Sequence, residues 1–162
     1  LAPIHHNQCP AHWPGHSHFQ EVPIADYFTN FSCLIDVGTP DNAARALALF
    51  QQCRDKDQDA DEPEVAGFDL SRQDAPEGSA LWIHDDDHGD IEAVIHFVLR
   101  LAEDLDLSGL WGFEYANTCS RARLGAFGGG AHVIDLGNRT TTGWTNTNEW
   151  LAAALNGEDV DV

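Results

Sequence analysis

Residues 30–41 read Asn-Phe-Ser-Cys-Leu-Ile-Asp-Val-Gly-Thr-Pro-Asp, and the fold class follows from two patterns in them. Apolar residues occupy every second position over 31–37, which predicts a half-buried β-strand. Thr39 then offers a capping hydroxyl, Pro40 suits the first position of a helix, and Asp41 favours the positive end of its dipole. The stretch therefore predicts a strand that leads directly into a helix.

The rest of the chain shows the same two kinds of pattern. Helices are predicted over about 40–54, from an Asp90 cap to a stop at Gly109, and from a capping box at Asn146 and Glu149 to Gly157. Strands are predicted over about 67–72, 80–84, 111–115 and 131–136. The order resembles the split βαβ arrangement. We therefore predict an α+β fold, a ferredoxin-like split βαβ sheet with an extra C-terminal strand and helix.

The domain organisation follows from length and composition. A chain of 162 residues fits one domain with one core. Residues 1–24 are rich in histidine and proline without periodicity, which predicts an N-terminal arm. Residues 25–157 form the predicted single ferredoxin-like domain, and residues 158–162 form an acidic tail.

The charge balance excludes several function classes. The chain has 27 Asp and Glu against 8 Lys and Arg, a formal net charge of −19. Such a surface repels a phosphate backbone and anionic lipid, so we expect neither direct nucleic-acid binding nor membrane binding. The expected location is the cytoplasm, with secretion as the alternative, because the chain has no methionine and begins at Leu1.

Three explanations fit the acidity. It reflects general adaptation to a salt-rich environment, or mimicry of DNA phosphates toward the basic groove of a protein partner, or cation binding. Two acidic segments are the expected contact surface for a partner. Their residues are Asp57, Asp59, Asp61, Glu62, Glu64, Asp85, Asp86 and Asp87.

The segment 84–90, His-Asp-Asp-Asp-His-Gly-Asp, is the strongest candidate for metal chemistry. Imidazole and carboxylate groups at His84, Asp86 and His88 suit a divalent metal, which makes a metal-binding protein or metal-dependent enzyme the alternative function. The spacing matches neither a His-Glu-x-x-His helix nor a calcium loop. The competing interpretation is a solvated turn in front of a helix capped by Asp90. No other cofactor is expected.

A second candidate site combines two arginines with a glycine-rich stretch. Arg121 and Arg123 precede Gly125 and the run 128–130, and guanidinium groups with free backbone amides suit an anion. The alternative is that both arginines pair with surrounding carboxylates. The tryptophans at 82, 111, 144 and 150, by contrast, have spacings that predict core packing.

Several segments resemble a known group of proteins. They are 27–32 (Tyr-Phe-Thr-Asn-Phe-Ser), 81–84 (Leu-Trp-Ile-His) and 111–131, which contains Trp-Gly-Phe-Glu-Tyr and Phe-Gly-Gly-Gly-Ala. Over about residues 26–155 the chain resembles small bacterial proteins associated with phages and plasmids, and it is loosely similar to ferredoxin-like proteins of the Api92 type. The resemblance implies an origin in a mobile genetic element and an accessory or counter-defence role.

Charge and resemblance together favour binding over catalysis. We expect a non-enzymatic acidic domain that binds a protein, and the most concrete version is a DNA-mimic inhibitor. Its partner is then a nucleic-acid-binding enzyme, such as a nuclease, whose basic groove accepts the carboxylates.

Overall fold

The computed structural model describes residues 25–57, 63–73 and 78–159. The predicted arm 1–24 and residues 160–162 of the predicted tail lie outside these ranges. Seven strands and three helices occur in the described residues. They are β1 (Tyr27–Asn30), β2 (Ser32–Asp36), α1 (Pro40–Asp57), β3 (Phe68–Arg72), β4 (Ala80–Asp85), α2 (Ile91–Leu105), β5 (Leu110–Cys119), β6 (Gly128–Asp135), β7 (Thr140–Asn146) and α3 (Thr147–Asn156).

The strands form two antiparallel sheets, so the predicted α+β class is confirmed. One sheet has the order β1-β5-β6-β7 and the other has the order β2-β4-β3. Strands β3 and β4, at the predicted positions 67–72 and 80–84, pair antiparallel, and Leu70 lies opposite Ile83. In the first sheet, β5 lies between β1 and β6.

The first predicted strand is divided between the two sheets at Phe31. The ladder with β5 ends at Asn30, and the ladder with β4 begins at Ser32. Phe31 is buried, and its ring meets that of Phe113 edge-on, with 5.9 Å between centroids. Burial alternates from Phe31 through β2 but not within β1, so the period-two pattern describes the β2 side and gives no sign of the division.

Helices α1 and α2 supply the main core. Helix α1 buries Ala43, Ala46, Phe50 and Cys53, as its three-and-four spacing predicts. The rings of Phe50, Phe68 and Phe97 lie 5.2 to 5.7 Å apart, and they join α1, β3 and α2. Among the described residues, no helix is long and apolar enough to cross a membrane.

The helix caps were largely predictable. Asp90 caps α2 by accepting a hydrogen bond from Ala93 N–H at 3.0 Å, and Asn146 caps α3. The predicted stop of α2 at Gly109 was wrong, because the helix ends at Leu105. Asp106 adopts the left-handed conformation, which aspartate tolerates, and its N–H caps the carbonyls of the last turn.

Strand β7 was missing from the sequence prediction, which placed one strand rather than two after β5. Its sequence, Thr-Thr-Thr-Gly-Trp-Thr-Asn, has no alternation of apolar and polar residues, because the strand lies at the edge of its sheet. The expectation that tryptophans pack in the core was also partly wrong. Trp111 is half-buried, whereas Trp82, Trp144 and Trp150 are exposed.

A tight contact joins the turn at residues 64–67 to the segment before α2. Gly67 has a φ of 77°, and a Cβ placed there would lie 2.5 Å from Asp90 N and 2.7 Å from His88 O. Both atoms belong to backbone and cannot move aside as a side chain would. Only glycine fits this position without a shift of one segment.

The substitution Gly67→Ala is therefore expected to destabilise the fold more than Gly109→Ala. Gly109 also has a positive φ, but open space surrounds its Cβ position, so that variant measures the left-handed backbone cost alone, about 1–2 kcal/mol. The steric clash at Gly67 should add about 1–3 kcal/mol. Urea denaturation of both variants measures the difference, and equal losses would show that the 64–67 turn does not rest on the 88–90 segment.

The thiol of Cys33 lies partly buried against the core. Burial disfavours the thiolate and raises the pKa of Cys33 from its ordinary value of 9.0 to about 12. Above pH 9 the unfolded chain loses this proton while the folded chain keeps it. The free energy of unfolding must therefore fall as the pH rises from 9 toward 12.

We expect the variant Cys33→Ala to lose stability less steeply than the wild type over this range. The part of the slope that Cys33 contributes is at most about 1.4 kcal/mol per pH unit. Urea denaturation of both proteins at pH 8, 9, 10 and 10.5 tests this. Parallel curves would mean that the folded thiol ionises as readily as the unfolded one.

Candidate functional site

The acidic residues predicted to contact a partner belong to two segments of the chain. Asp57 ends α1 and Glu64 begins the turn that precedes β3, whereas Asp85 ends β4, and Asp86 and Asp87 lie between β4 and α2. Asp59, Asp61 and Glu62 lie outside the described residues. Twenty residues separate Glu64 from Asp85, so the proximity of the two segments depends on the fold.

Asp57 fixes the start of the turn at residues 64–67. Its two carboxylate oxygens accept hydrogen bonds from Glu64 N–H and Val65 N–H, both at 2.9 Å. Val65 is buried, so this contact anchors the turn at residues 64–67 to the core. The carboxylate of Asp57 is therefore occupied within the fold, and Glu64 is exposed beside it.

The turn that Asp57 anchors brings the two acidic segments together. Its last residue, Gly67, lies against His88 and Asp90, and the next residue, Phe68, lies opposite Asp85 in the β3–β4 ladder. We call this part of the surface the acidic end. It contains Asp57, Glu64, Asp69, Asp85, Asp86, Asp87 and Asp90.

Asp85 connects the acidic end to the junction of the two sheets. Its Oδ2 accepts a hydrogen bond from Phe31 N–H at 2.9 Å, and its own N–H donates to the Phe31 carbonyl at 3.1 Å. Its Oδ1 lies 3.3 Å from Nδ2 of Asn30 and 3.2 Å from N of Asp87. Asp85 is half-buried, and its carboxylate fills a structural role at the point where the first strand divides.

Asp86 and Asp87 are the exposed carboxylates of this segment. The backbone beneath them is fixed by short-range contacts. Asp87 has a φ of 80° and donates its N–H to Asp85, while the carboxylate of Asp86 accepts from His88 N–H at 3.4 Å. The turn therefore presents two carboxylates to solvent from a constrained backbone.

Two cations neutralise part of the acidic end. Arg54 forms an ion pair with Asp69, and Arg100 Nη1 lies 3.0 Å from Glu64 Oε2. Both pairs are exposed and contribute little to stability. The carboxylates of Asp86 and Asp87 make no ion pair with the described residues.

A cavity of about 270 Å³ adjoins Glu64, and sequence reasoning missed it. Cys53, Glu64, His96 and Arg100 line it together with apolar side chains, and Arg100 Nη1 lies 3.4 Å from the Cys53 sulfur. Burial is the largest cause that raises the pKa of Cys53, so its thiol stays protonated at neutral pH. Spacing alone gave no signal, since Cys53 belongs to one amphipathic helix, His96 and Arg100 belong to another, and Glu64 lies in a turn between them in the chain.

The predicted metal ligands do not converge. The ring of His84 stacks on Trp82 at 4.0 Å, and its Nδ1 lies 2.8 Å from the Asp85 carbonyl, whereas the ring of His88 lies against Phe28. Within residues 25–57, 63–73 and 78–159, no three His, Cys, Asp or Glu side chains are placed to hold a metal ion. The metal site stays a prediction that needs a rearrangement of this turn.

Arg121 and Arg123 are exposed in the loop between β5 and β6. Neither forms an ion pair with a carboxylate of the described residues, so the predicted pairing does not occur there. Gly125 in the same loop has a φ of 70°, which favours glycine. The anion-binding role of the two arginines remains a prediction.

Comparisons with protein-family models, with curated proteins and with solved structures find no match to this chain.

Asp85→Ala is expected to lower the free energy of unfolding by about 2–4 kcal/mol, because it leaves the Phe31 N–H without its acceptor at a half-buried site. The matched control is Asp86→Ala, whose side chain is exposed and should cost less than about 1 kcal/mol. Thermal or urea denaturation compares the two. Equal losses would contradict the structural role of Asp85.

Proposed function

We propose that this protein is a non-enzymatic binding domain whose acidic end contacts a basic surface of a protein partner. The observation that carries the proposal is the adjacency of two acidic segments that are distant in sequence. The turn at residues 64–67, which Asp57 anchors, meets the 85–90 turn at Gly67, and Phe68 lies opposite Asp85. A partner can therefore contact both segments at once.

Constraint of the acidic end supports the same proposal. Asp57 and Asp85 are engaged with backbone N–H groups, and these contacts hold the turns that carry Glu64, Asp86 and Asp87. Carboxylates on a fixed backbone lose less conformational freedom on binding than those on a flexible loop. In this proposal Asp57 and Asp85 anchor the turns, and Glu64, Asp86 and Asp87 are the surface acids that contact the partner.

Mimicry of DNA is the most concrete form of the proposal. A partner that binds duplex DNA presents a groove lined with Lys and Arg, and the net charge of −19 attracts such a groove over long distances. The same charge opposes binding to DNA itself. The resemblance to proteins of phages and plasmids supports this form of the proposal. Mobile genetic elements encounter bacterial defence enzymes, and an inhibitor of such an enzyme would protect them.

We further propose that the fold derives from the ferredoxin-like arrangement. The observed pairings β2–β4, β4–β3 and β1–β5 agree with that arrangement if β1 and β2 count as one strand divided at Phe31. Strands β6 and β7 then extend the β5 side. On this basis α1 and α2 are the two helices of the split βαβ units.

The double variant Asp86→Asn with Asp87→Asn tests the function. The wild-type chain is immobilised and exposed to a bacterial lysate at low salt. We expect it to retain a protein that short duplex DNA then releases, since the DNA competes for the same groove. The double variant should bind that purified protein about tenfold more weakly and with a smaller salt dependence.

The matched control is Glu103→Gln with Asp104→Asn, which removes the same charge at the far end of α2. This control should bind like the wild type at every salt concentration, because its acids lie some 20 Å along the helix from the acidic end. Equal weakening by both double variants would point to net charge rather than to this surface. If duplex DNA does not release the retained protein, the DNA-mimic version of the proposal is contradicted.

A further inference from the structure

The outer face of the four-stranded sheet carries a trough of about 680 Å³, a volume within the range of ligand-binding sites. Phe113 in β5 is buried in the core, so the next residue, Glu114, points to the outer face. Residues that lie directly opposite each other in neighbouring strands share a face. Two rows of such residues line the trough. They are Asn30, Ala116 and Gly129 across β1, β5 and β6, and Glu114, Ala131 and Thr145 across β5, β6 and β7.

Small residues form the floor of this trough. Ala116 and Ala131 contribute one methyl group each, and Gly129 contributes none. Gly129 cannot be enlarged, because a Cβ placed there would collide with the Tyr115 carbonyl in the neighbouring strand. The floor is therefore shallow and mainly apolar. Long charged side chains pack their aliphatic stems on surfaces of this kind, while their charged ends stay with polar groups.

Glu114 is the free charge in the trough. The residue is exposed, and its carboxylate makes no ion pair with the described residues. The residue opposite it in β6 is Ala131, so that strand places no cation across from it. Among the described residues that line the trough, none is Lys, Arg or His. A cation with an aliphatic stem therefore complements the trough in both charge and shape.

Asp85 joins the trough to the acidic end, because it belongs to the lining of both. Its carboxylate already accepts hydrogen bonds from Phe31 N–H and from Asn30 Nδ2, so its main contribution to the trough is negative potential. The surface that carries Asp86 and Asp87 is therefore continuous with the trough. A basic partner on the acidic end has the trough within reach.

We propose that the trough accepts one arginine side chain of the basic partner, with its guanidinium group on Glu114 and its stem on the apolar floor. The inference rests on the proposed function and adds an anchoring contact to it. A guanidinium group matches a carboxylate with two parallel N–H donors, and it is less strongly hydrated than the ammonium group of lysine. The hydroxyl oxygens of Thr145 and Thr147, which also line the trough, are acceptors for its remaining N–H groups. Arginine is also among the residues that most often anchor protein interfaces.

The site is testable without the partner, by titrating the isotope-labelled chain with N-acetylarginine amide and following its backbone amide signals by NMR. We expect saturable shifts at Ala116 and Ala131, with a dissociation constant of about 1–10 mM for a single contact of this kind. N-acetylcitrulline amide has nearly the same shape with a neutral urea group, and it should bind about tenfold more weakly or not at all. N-acetyl-lysine amide should also bind more weakly, and an affinity equal to that of the arginine probe would contradict the choice of arginine.

Matched variants locate the binding. Glu114→Gln keeps the size of the side chain and removes the charge, so the affinity for the arginine probe should fall about fivefold or more. Glu103→Gln removes the same charge from an exposed position on α2 outside the trough, and it should bind the probe like the wild type. Ala116→Leu fills the floor without a change in charge and should also weaken binding, whereas Ala44→Leu adds the same group to an exposed position on α1 and should not. Melting curves check that each variant is folded.

The outcomes separate this site from the proposed function. Shifts confined to Asp86 and Asp87, equal affinities of the arginine and citrulline probes, or a Glu114→Gln titration that matches the wild type overturn the arginine site. The proposed function is then judged independently, by the weakening that Asp86→Asn with Asp87→Asn causes toward the retained partner. A probe that binds in the trough of a chain that retains no protein from the lysate overturns the proposed function instead. With the purified partner, Glu114→Gln should weaken binding about fivefold, and unchanged binding would show that no arginine of the partner occupies the trough.

Discussion

The hydrogen bonds between Asp85 and Phe31 are the interaction on which most of this structure depends. At Phe31 the first strand leaves the sheet of β5 and enters the sheet of β4, and its backbone N–H cannot bond to either neighbour's ladder. A carboxylate from the end of β4 accepts that N–H, while the carbonyl of the same residue accepts from Asp85 N–H. One residue thereby satisfies the backbone where the sheets separate and begins the turn that presents the exposed acids.

Acidic residues in this chain therefore have two separate roles. Asp57, Asp85 and Asp90 accept backbone hydrogen bonds at the end of α1, at the junction of the sheets and at the start of α2. Buried backbone donors need such partners, because an unpaired one costs free energy. Asp86 and Asp87 make no comparable contact with the core and stay available to solvent. The two groups carry the same charge and differ in whether their carboxylates accept hydrogen bonds that hold the fold.

The sequence allowed much of the fold to be predicted, because its local signals agree with its tertiary structure. The three-and-four spacing in α1, the Asp90 and Asn146 caps and the alternation around Ile35 each specify one element, and each appears where it was expected. The division of the first strand left no local signal, since the apolar alternation over 31–37 starts at Phe31 itself and marks no break there. Strand β7 escaped prediction because an edge strand with solvent on both sides of much of its length needs no apolar alternation.

The candidate site was less predictable than the fold. Sequence pointed to the acids of the 57–64 and 85–87 segments but gave no reason to place them together, because that depends on Gly67 and on the register of β3 with β4. It also grouped His84, Asp86 and His88 by proximity in the chain. The strand directs His84 onto Trp82 and the turn directs His88 toward Phe28, so neighbours in sequence point to different surroundings.

Native-state hydrogen exchange of the Phe31 amide tests the central claim most directly. If the Asp85 carboxylate holds this N–H at the junction of the sheets, the amide should exchange as slowly as amides of the β2–β4 ladder at neutral pH. Exchange as fast as that of the exposed Leu124 amide would show that no such hydrogen bond persists in solution. The sheets would then be joined by side-chain packing alone, and the acidic turn would lack its anchor.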